Sequence, residues 1–454
     1  MMVDPIWIGA LEGASALRAG KLTARSWTEA LLARIAALDA KVNAFIQVTP
    51  DRALAAAEAA DRELADGRDR GPLHGVPYGL KDIIDVAGLP TTCHSKLGID
   101  RIAEQDAAVT RHLTEAGAVM LGKLSTHEFA IGGPSFDLPW PPARNPWDLT
   151  KFPGGSSSGS GAGLAAGFFP LAVGTDTAGS IRNPAAQCGI VGFKPTYDRV
   201  SRAGVYPLAW SLDAVGPMAR CVADVAAMVT VMANELPRPL EPASLKGLRV
   251  GAARCWHQGE MTGDPAMIAA FEAALARMAE AGAEIVEVSF APLGFWQSVT
   301  RVILSAEGFA AHEGDLATRP QDYGKLARTR LLGGAEIRAA DYLRAQRHRA
   351  ALIAQWDEIM SDVDVVACLS SLDPPPRIDD EAAVLRGYLR QARAPANLLG
   401  VPAINLPTGF DPDGMPTSMQ LMARRFHDDR LLEIAASLEF LLSLGDARPI
   451  LKTD

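Results

Sequence analysis

Residues 154–192 read GGSSSGSGAGLAAGFFPLAVGTDTAGSIRNPAAQCGIVG and hold 10 of the chain's 41 glycines. Five serines, Ser156, Ser157, Ser158, Ser160 and Ser180, lie in the same stretch. A run of Gly and Ser alone reads as a flexible linker. Here Leu164, Phe168, Phe169, Leu171 and Val173 follow at once and demand burial, so the linker reading fails. A phosphate-cradling loop needs G-x-x-x-x-G-K-[ST], which the stretch lacks, and a dinucleotide fingerprint G-x-G-x-x-G fails at Leu164. Gly155-Ser-Ser-Ser-Gly159 does match the G-x-S-x-G of a nucleophile elbow, which would make Ser157 the nucleophile of an α/β-hydrolase-type esterase. That elbow expects a strand immediately before it, and Asp148-Leu-Thr-Lys-Phe-Pro153 does not read as one.

Outward from this stretch, the patterning is that of an α/β protein. Upstream, Leu31, Leu32, Ile35 and Leu38 recur at helical spacing behind Ser26 as N-cap, and the Ala-rich segment Ala53–Leu64 reads as a second helix. Residues 76–86, VPYGLKDIIDV, form an apolar, β-branched run with Lys81 inside it, read as a strand. Two segments then share one plan. Asp106 opens a helix that Gly117 stops before the strand Val119–Leu121. Asp264 caps a helix with Pro265 at its first position, which Gly282 stops before the strand Ile285–Val288. Further strands are expected at Leu248–Gly251 and Asp364–Cys368. Repeated helix–Gly–strand units predict a sheet covered by helices. The proline-rich segment 235–243 reads as a surface connection, with a domain boundary as the alternative.

Composition narrows the function classes. The chain has 454 residues, 48% hydrophobic and 21% charged, with a net charge of −9. That length allows two or three domains or one large one. An apolar fraction this high excludes global disorder, and the acidic balance speaks against nucleic-acid binding, which needs clustered Lys and Arg. No apolar stretch is long enough to span a bilayer. The N-terminus, with Asp4 and Pro5, does not read as a signal peptide. Cys93, Cys188, Cys221, Cys255 and Cys368 are widely spaced and include no C-x-x-C, which fits a reducing cytoplasm better than a disulfide framework. His74, His94, His112 and His127 have no ligand-like spacing, so no metal is expected.

The ordered pair GGSSSGSGAGLAAG and GTDTAGSIRNPAAQCGIVGFKPT resembles the amidase signature family of serine hydrolases. Gly75-Val-Pro-Tyr-Gly-Leu-Lys81-Asp, Ser211-Leu-Asp-Ala-Val-Gly-Pro217 and Pro402-Ala-Ile-Asn-Leu-Pro407 extend the likeness. It covers most of the chain and is strongest over residues 71–220. The resemblance implies one α/β domain over residues 1–454, a mixed twisted sheet with helices on both faces. It implies Ser180 as nucleophile, Ser156 as bridging serine behind a cis peptide from Gly155, and Lys81 as general base. These roles are chemically coherent. A serine hydroxyl needs an adjacent base, and a lysine serves as one only when burial lowers its pKa, for which Tyr78, Leu80, Ile83 and Ile84 supply apolar surroundings. Main-chain N–H groups of Thr177, Ala178, Gly179 and Ser180 would form the oxyanion hole. Ala178 departs from the family's commoner glycine. Asp176 and Arg182 are expected to support the loop as an ion pair, and Ser157 to support the site by hydrogen bonding.

The resemblance implies hydrolysis of a C–N bond without cofactor, in a small-molecule aryl or alkyl amide or a carbamate, as in the family's urethane-cleaving members. The expected pocket is apolar, from Phe129, Ile131, Phe136, Tyr206 and Trp210, on a monomer or homodimer without nucleic-acid or membrane partners. The alternative within the family is the glutaminase component of a tRNA-dependent amidotransferase, which works with partner subunits.

Overall fold

In the computed structural model, which describes residues 4–259, 261–444 and 447–452, eleven strands form one mixed sheet. In chain order they are β1 (Phe45–Val48), β2 (Pro77–Lys81), β3 (Val119–Leu124), β4 (Leu171–Asp176), β5 (Val191–Lys194) and β6 (Ala214–Ala219). There follow β7 (Arg249–Ala252), β8 (Glu284–Glu287), β9 (Val365–Leu369), β10 (Ala403–Phe410) and β11 (Pro416–Met422). Across the sheet the order is β1-β3-β2-β4-β6-β5-β10-β11-β9-β7-β8. β2 is parallel to both β3 and β4, β4 to β11 pair antiparallel through the middle, and β9, β7 and β8 are again parallel. Strands β6 and β7 flank the proline-rich segment and lie in the same sheet.

The central strands are apolar on both faces because helices cover both. Every residue of β2, β3, β4 and β6 is buried. Helices Val222–Met232, Pro265–Glu280 and Asp428–Leu442 pack together over β6, β10 and β11. A second pair, Ser158–Ala165 and Arg182–Cys188, packs together against β4, β5 and β10. Helix Ser158–Ala165 is built of Ser, Gly and Ala with one Leu, and all eight of its residues are buried. Side chains this small let a helix sit deep beside the sheet.

Register sets the site. β2 and β4 run side by side with Tyr78 opposite Leu171 and Leu80 opposite Val173. Their C-terminal ends, at Lys81 and at Thr175 and Asp176, therefore leave the sheet on the same edge, where open α/β sheets bind ligands.

Several local expectations are corrected. The first long helix is Ala24–Val42, capped by Thr23, and Ser26 sits at its third position, where its hydroxyl accepts from the Thr23 N–H in a reciprocal capping box. Asp106 does not cap its helix, which is Ala108–Glu115; its carboxylate accepts from the Ala87 N–H instead. Of the run 76–86 only Pro77–Lys81 is strand, because the chain turns as soon as it has delivered Lys81. Asp264 caps helix Pro265–Glu280, accepting from the Ala266 N–H at 2.8 Å.

Candidate active site

Lys81 is fully buried at the end of β2. Its Nζ donates to Ser156 Oγ at 2.7 Å and to Thr175 Oγ1 at 2.8 Å. Burial pushes the lysine down to about 7, against the opposing pull of the Asp176 and Asp213 charges. Among the described residues no carboxylate contacts the amine, and both of its close partners are neutral hydroxyls. Thr175 is a residue the sequence reading missed. Its place one residue before Asp176 in GTDTAGS puts it on β4, directly beside β2.

Ser156 follows a cis peptide bond from Gly155. Its carbonyl accepts from the His127 N–H at 3.0 Å. Gly155 is required by close approach: a Cβ there would stand 2.0 Å from the His127 ring. The two halves of the glycine-rich stretch are tied together, since Ser157 N–H donates to the Ser180 carbonyl at 3.1 Å and Asn183 Nδ2 to the Gly155 carbonyl at 3.1 Å.

The loop 177–180 leaves the end of β4 under tight control. Asp176 is fully buried, and burial alone would raise its pKa. The Arg182 guanidinium outweighs this and holds the carboxyl well below the usual range, with Nη2 to Oδ1 at 2.8 Å and Nε to Oδ2 at 3.0 Å. Arg182 also donates to Gln420 Oε1, Asn397 Oδ1 and the Arg393 carbonyl, which locks the loop to distant parts of the sheet. Thr177 Oγ1 donates to Asp213 Oδ1 at 2.6 Å. Asp213 also accepts from the Leu208 and Ala209 N–H groups, and burial raises it to about 6.

Among the described residues, the N–H groups of Thr177, Ala178 and Ser180 carry no hydrogen bond. Gly179, expected as a fourth oxyanion donor, is corrected: its N–H donates to Asp176 Oδ1 at 2.8 Å. Gly179 is instead required by its backbone, with φ +118° and Arg393 packed where a Cβ would go. Ala178 does not have a positive φ, so its methyl group costs the loop no strain.

The G-x-S-x-G elbow is not built. Ser157 is buried, its Oγ donating to the Thr175 carbonyl and accepting from the Thr175 N–H, each at 3.2 Å. The segment before it is irregular, not a strand.

Ser156, Ala178, Gly179 and Ser180 line a cavity of about 720 Å³. Of the five expected pocket residues only Ile131 lines it. Phe129 is buried and packs against the rings of Tyr206, His312 and Tyr323, at ring distances of 5.0, 4.5 and 5.6 Å. Phe136 is 59% exposed on a separate groove. Tyr206 and Trp210 line a neighbouring cavity of about 520 Å³ that meets the first at Ala130, Thr177 and Leu208. The walls of the Ser180 cavity come from segments that carried no motif: helix Leu293–Thr318, helix Lys325–Leu332 and residues 385–394. Among the described residues no cluster of His, Cys, Asp and Glu has the makings of a metal site, and no helix is long and apolar enough to cross a membrane.

The family model described as Amidase matches residues 26–432. The chain is 38% identical to a glutamyl-tRNA(Gln) amidotransferase subunit from Chloroflexus aggregans (strain MD-66 / DSM 9485), over 96% of each chain. A solved structure from work on a vestigial protein complex and the evolutionary origins of an s-triazine catabolic enzyme superposes with a TM-score of 0.88 at 34% identity, over 98% of this chain and 100% of that one. Native peptide amidase from Stenotrophomonas maltophilia gives a TM-score of 0.83 at 29% identity, over 98% of both.

Proposed function

The chain belongs to the amidase signature family, and from that premise we propose that it hydrolyses C–N amide bonds through an acyl-enzyme on Ser180, with Lys81 as base acting through Ser156. The observation that carries the proposal is the buried Lys81 amine, 2.7 Å from Ser156 Oγ, at a cavity that Ser156 and Ser180 both line. A lysine brought down to about 7 is half neutral at neutral pH and has a lone pair to offer. Lys81 takes the Ser156 proton as Ser156 takes that of Ser180. Ser180 Oγ bonds to the carbonyl carbon, and the oxyanion turns toward the N–H groups of Thr177, Ala178 and Ser180. As the C–N bond breaks, the proton returns through Ser156 to the leaving nitrogen. Water then attacks the ester, releasing the acid and restoring Ser180. A carbamate would open by the same steps.

A second reading makes the chain the glutamine-hydrolysing component of an amidotransferase complex. Its full-length likeness to proteins so named favours that reading, and protein partners would follow from it. Assays of the purified chain on simple amides and on glutamine, alone and with partner subunits, separate the two. Autonomous turnover of amides supports a free hydrolase, and glutamine turnover that depends on partners supports the complex. Ser180→Ala, Ser156→Ala and Lys81→Ala should each cost at least about a thousandfold in rate while leaving the circular dichroism unchanged. Full activity in Ser180→Ala would overturn the mechanism.

A further inference from the structure

We propose that the substrate of this site is an amide bearing a carboxylate and no ammonium group, and that Arg330 receives the carboxylate. The proposal rests on the Ser180 hydrolase reading and names its substrate class.

The Ser180 cavity is lined by three arginines, Arg301, Arg330 and Arg393, and by no Asp or Glu among the described residues. Composition does not explain this, because the chain has 53 acidic residues against 44 Lys and Arg. Many arginines elsewhere find acids: Arg182 pairs with Asp176, Arg254 with Glu272 and Glu287, Arg390 with Asp373. The three cavity arginines form no ion pair among the described residues.

Their settings differ. Arg393 is 2% exposed and lies against Gly179, beside the Ser180 loop. Its Nη1 donates to the Ser370 carbonyl and to Ser371 Oγ, while its Nε is buried without a partner. Burial presses this guanidinium down to about 9, with the Arg182 charge adding, which leaves it protonated at neutral pH. Arg301 is exposed at the mouth on helix Leu293–Thr318. Arg330, in the last turn of helix Lys325–Leu332, is half-buried with its guanidinium over the Tyr388 ring at 5.4 Å. Tyr388 also lines the cavity. Stacking holds the plane of a guanidinium and leaves its N–H edge free. No hydrogen bond from that edge exists among the described residues.

A guanidinium edge presents paired N–H donors at the spacing of two carboxylate oxygens. A cleft of one sign also draws in ligands of the other. Leu304, Leu385, Leu389 and Met261 give the cavity apolar wall between these charges, suited to a short methylene chain. An ammonium group would meet three positive charges and no carboxylate in the cavity lining; Glu381, whose charge Arg330 feels, lies on a separate groove. Glutamine, a zwitterion, therefore suits the cavity less well than the same molecule without its amino group.

The test compares kcat/KM for three primary amides of one length: glutaramate (anionic), pentanamide (neutral) and glutamine (zwitterionic). Glutaramate is expected to exceed each of the others by at least about tenfold, since a hydrogen bond to a charged group contributes about 10- to 150-fold. In Arg330→Gln the ratio of glutaramate to pentanamide should fall toward one, and Arg330→Lys should recover part of it. Equal or faster turnover of pentanamide or glutamine, or a ratio unmoved in Arg330→Gln, overturns the inference while leaving the hydrolase reading intact. If none of the three amides is turned over, the hydrolase reading fails on simple amides. Calorimetry with glutarate then decides the inference: binding that Arg330→Gln abolishes supports it, and absence of binding to the unaltered protein overturns it.

Discussion

Replacing Thr175 by valine should move the activity profile to lower pH. Among the described residues Lys81 has two hydrogen-bonding partners, Ser156 Oγ at 2.7 Å and Thr175 Oγ1 at 2.8 Å, and no contacting charge. Burial sets its pKa at about 7. In the proposed mechanism only the neutral amine is active, so kcat/KM rises with pH and levels off above about 7. Valine keeps the shape of threonine and the backbone bonds of β4 while deleting one acceptor for the ammonium. A hydrogen bond to a charged group is worth about 1.5–3 kcal/mol, and each pKa unit is about 1.36 kcal/mol. The charged form of Lys81 loses that support, so its pKa falls by about one to two units and the rising limb moves to about pH 5–6. The assay is kcat/KM against pH on one amide substrate, for the parent and Thr175→Val. A limb that stays at about 7, or moves upward, would refute the assignment of that limb to Lys81.

Three further outcomes follow from the same geometry. Asp176→Asn leaves the buried Arg182 guanidinium with neutral acceptors only, and should cost about 3–5 kcal/mol in urea unfolding. Gly179→Ala introduces a Cβ 2.6 Å from Arg393 Cβ at φ +118°, and should cut kcat/KM by at least about tenfold in a protein that still folds. Ser157→Ala removes only the two bonds to the Thr175 backbone, and should lower stability by about 1–3 kcal/mol while keeping kcat/KM within about tenfold.

The meeting of Lys81 with Ser156 was legible only through the resemblance to a known family. A lysine inside an apolar run can equally reach out to solvent, and serines among small residues name no partner by themselves, yet these two side chains do meet. The sheet was legible where helix, glycine and strand follow one another, as at Asp264–Val288. The cavity wall was not. Phe129, Phe136, Tyr206 and Trp210 looked like pocket residues because they flank the motif in sequence. A pocket is built from whatever the fold brings opposite the motif, here residues from about 294 onward to 394. Arg301, Arg330 and Arg393 carry no local signal, since an arginine on an amphipathic helix reads as a solvated face until its surroundings are known. The commitment of Gly179 N–H to Asp176 was equally hidden. It depends on a carboxylate that Arg182 holds from the next turn of chain, with the guanidinium itself fixed by Asn397 and Gln420 from far along the sequence.

The measurement that bears most directly on the central claim is covalent capture of the nucleophile. A fluorophosphonate forms a serine–phosphorus bond and releases fluoride. With the purified protein it should give one adduct per chain by intact mass, at a rate that rises with pH about a midpoint near 7, as the Lys81 value sets. Peptide fragmentation should localise the adduct to Ser180 rather than to Ser156, Ser157 or Ser158. The adduct should persist in Ser157→Ala and vanish in Ser180→Ala. An adduct on Ser157, or labelling that survives in Ser180→Ala, would contradict the account.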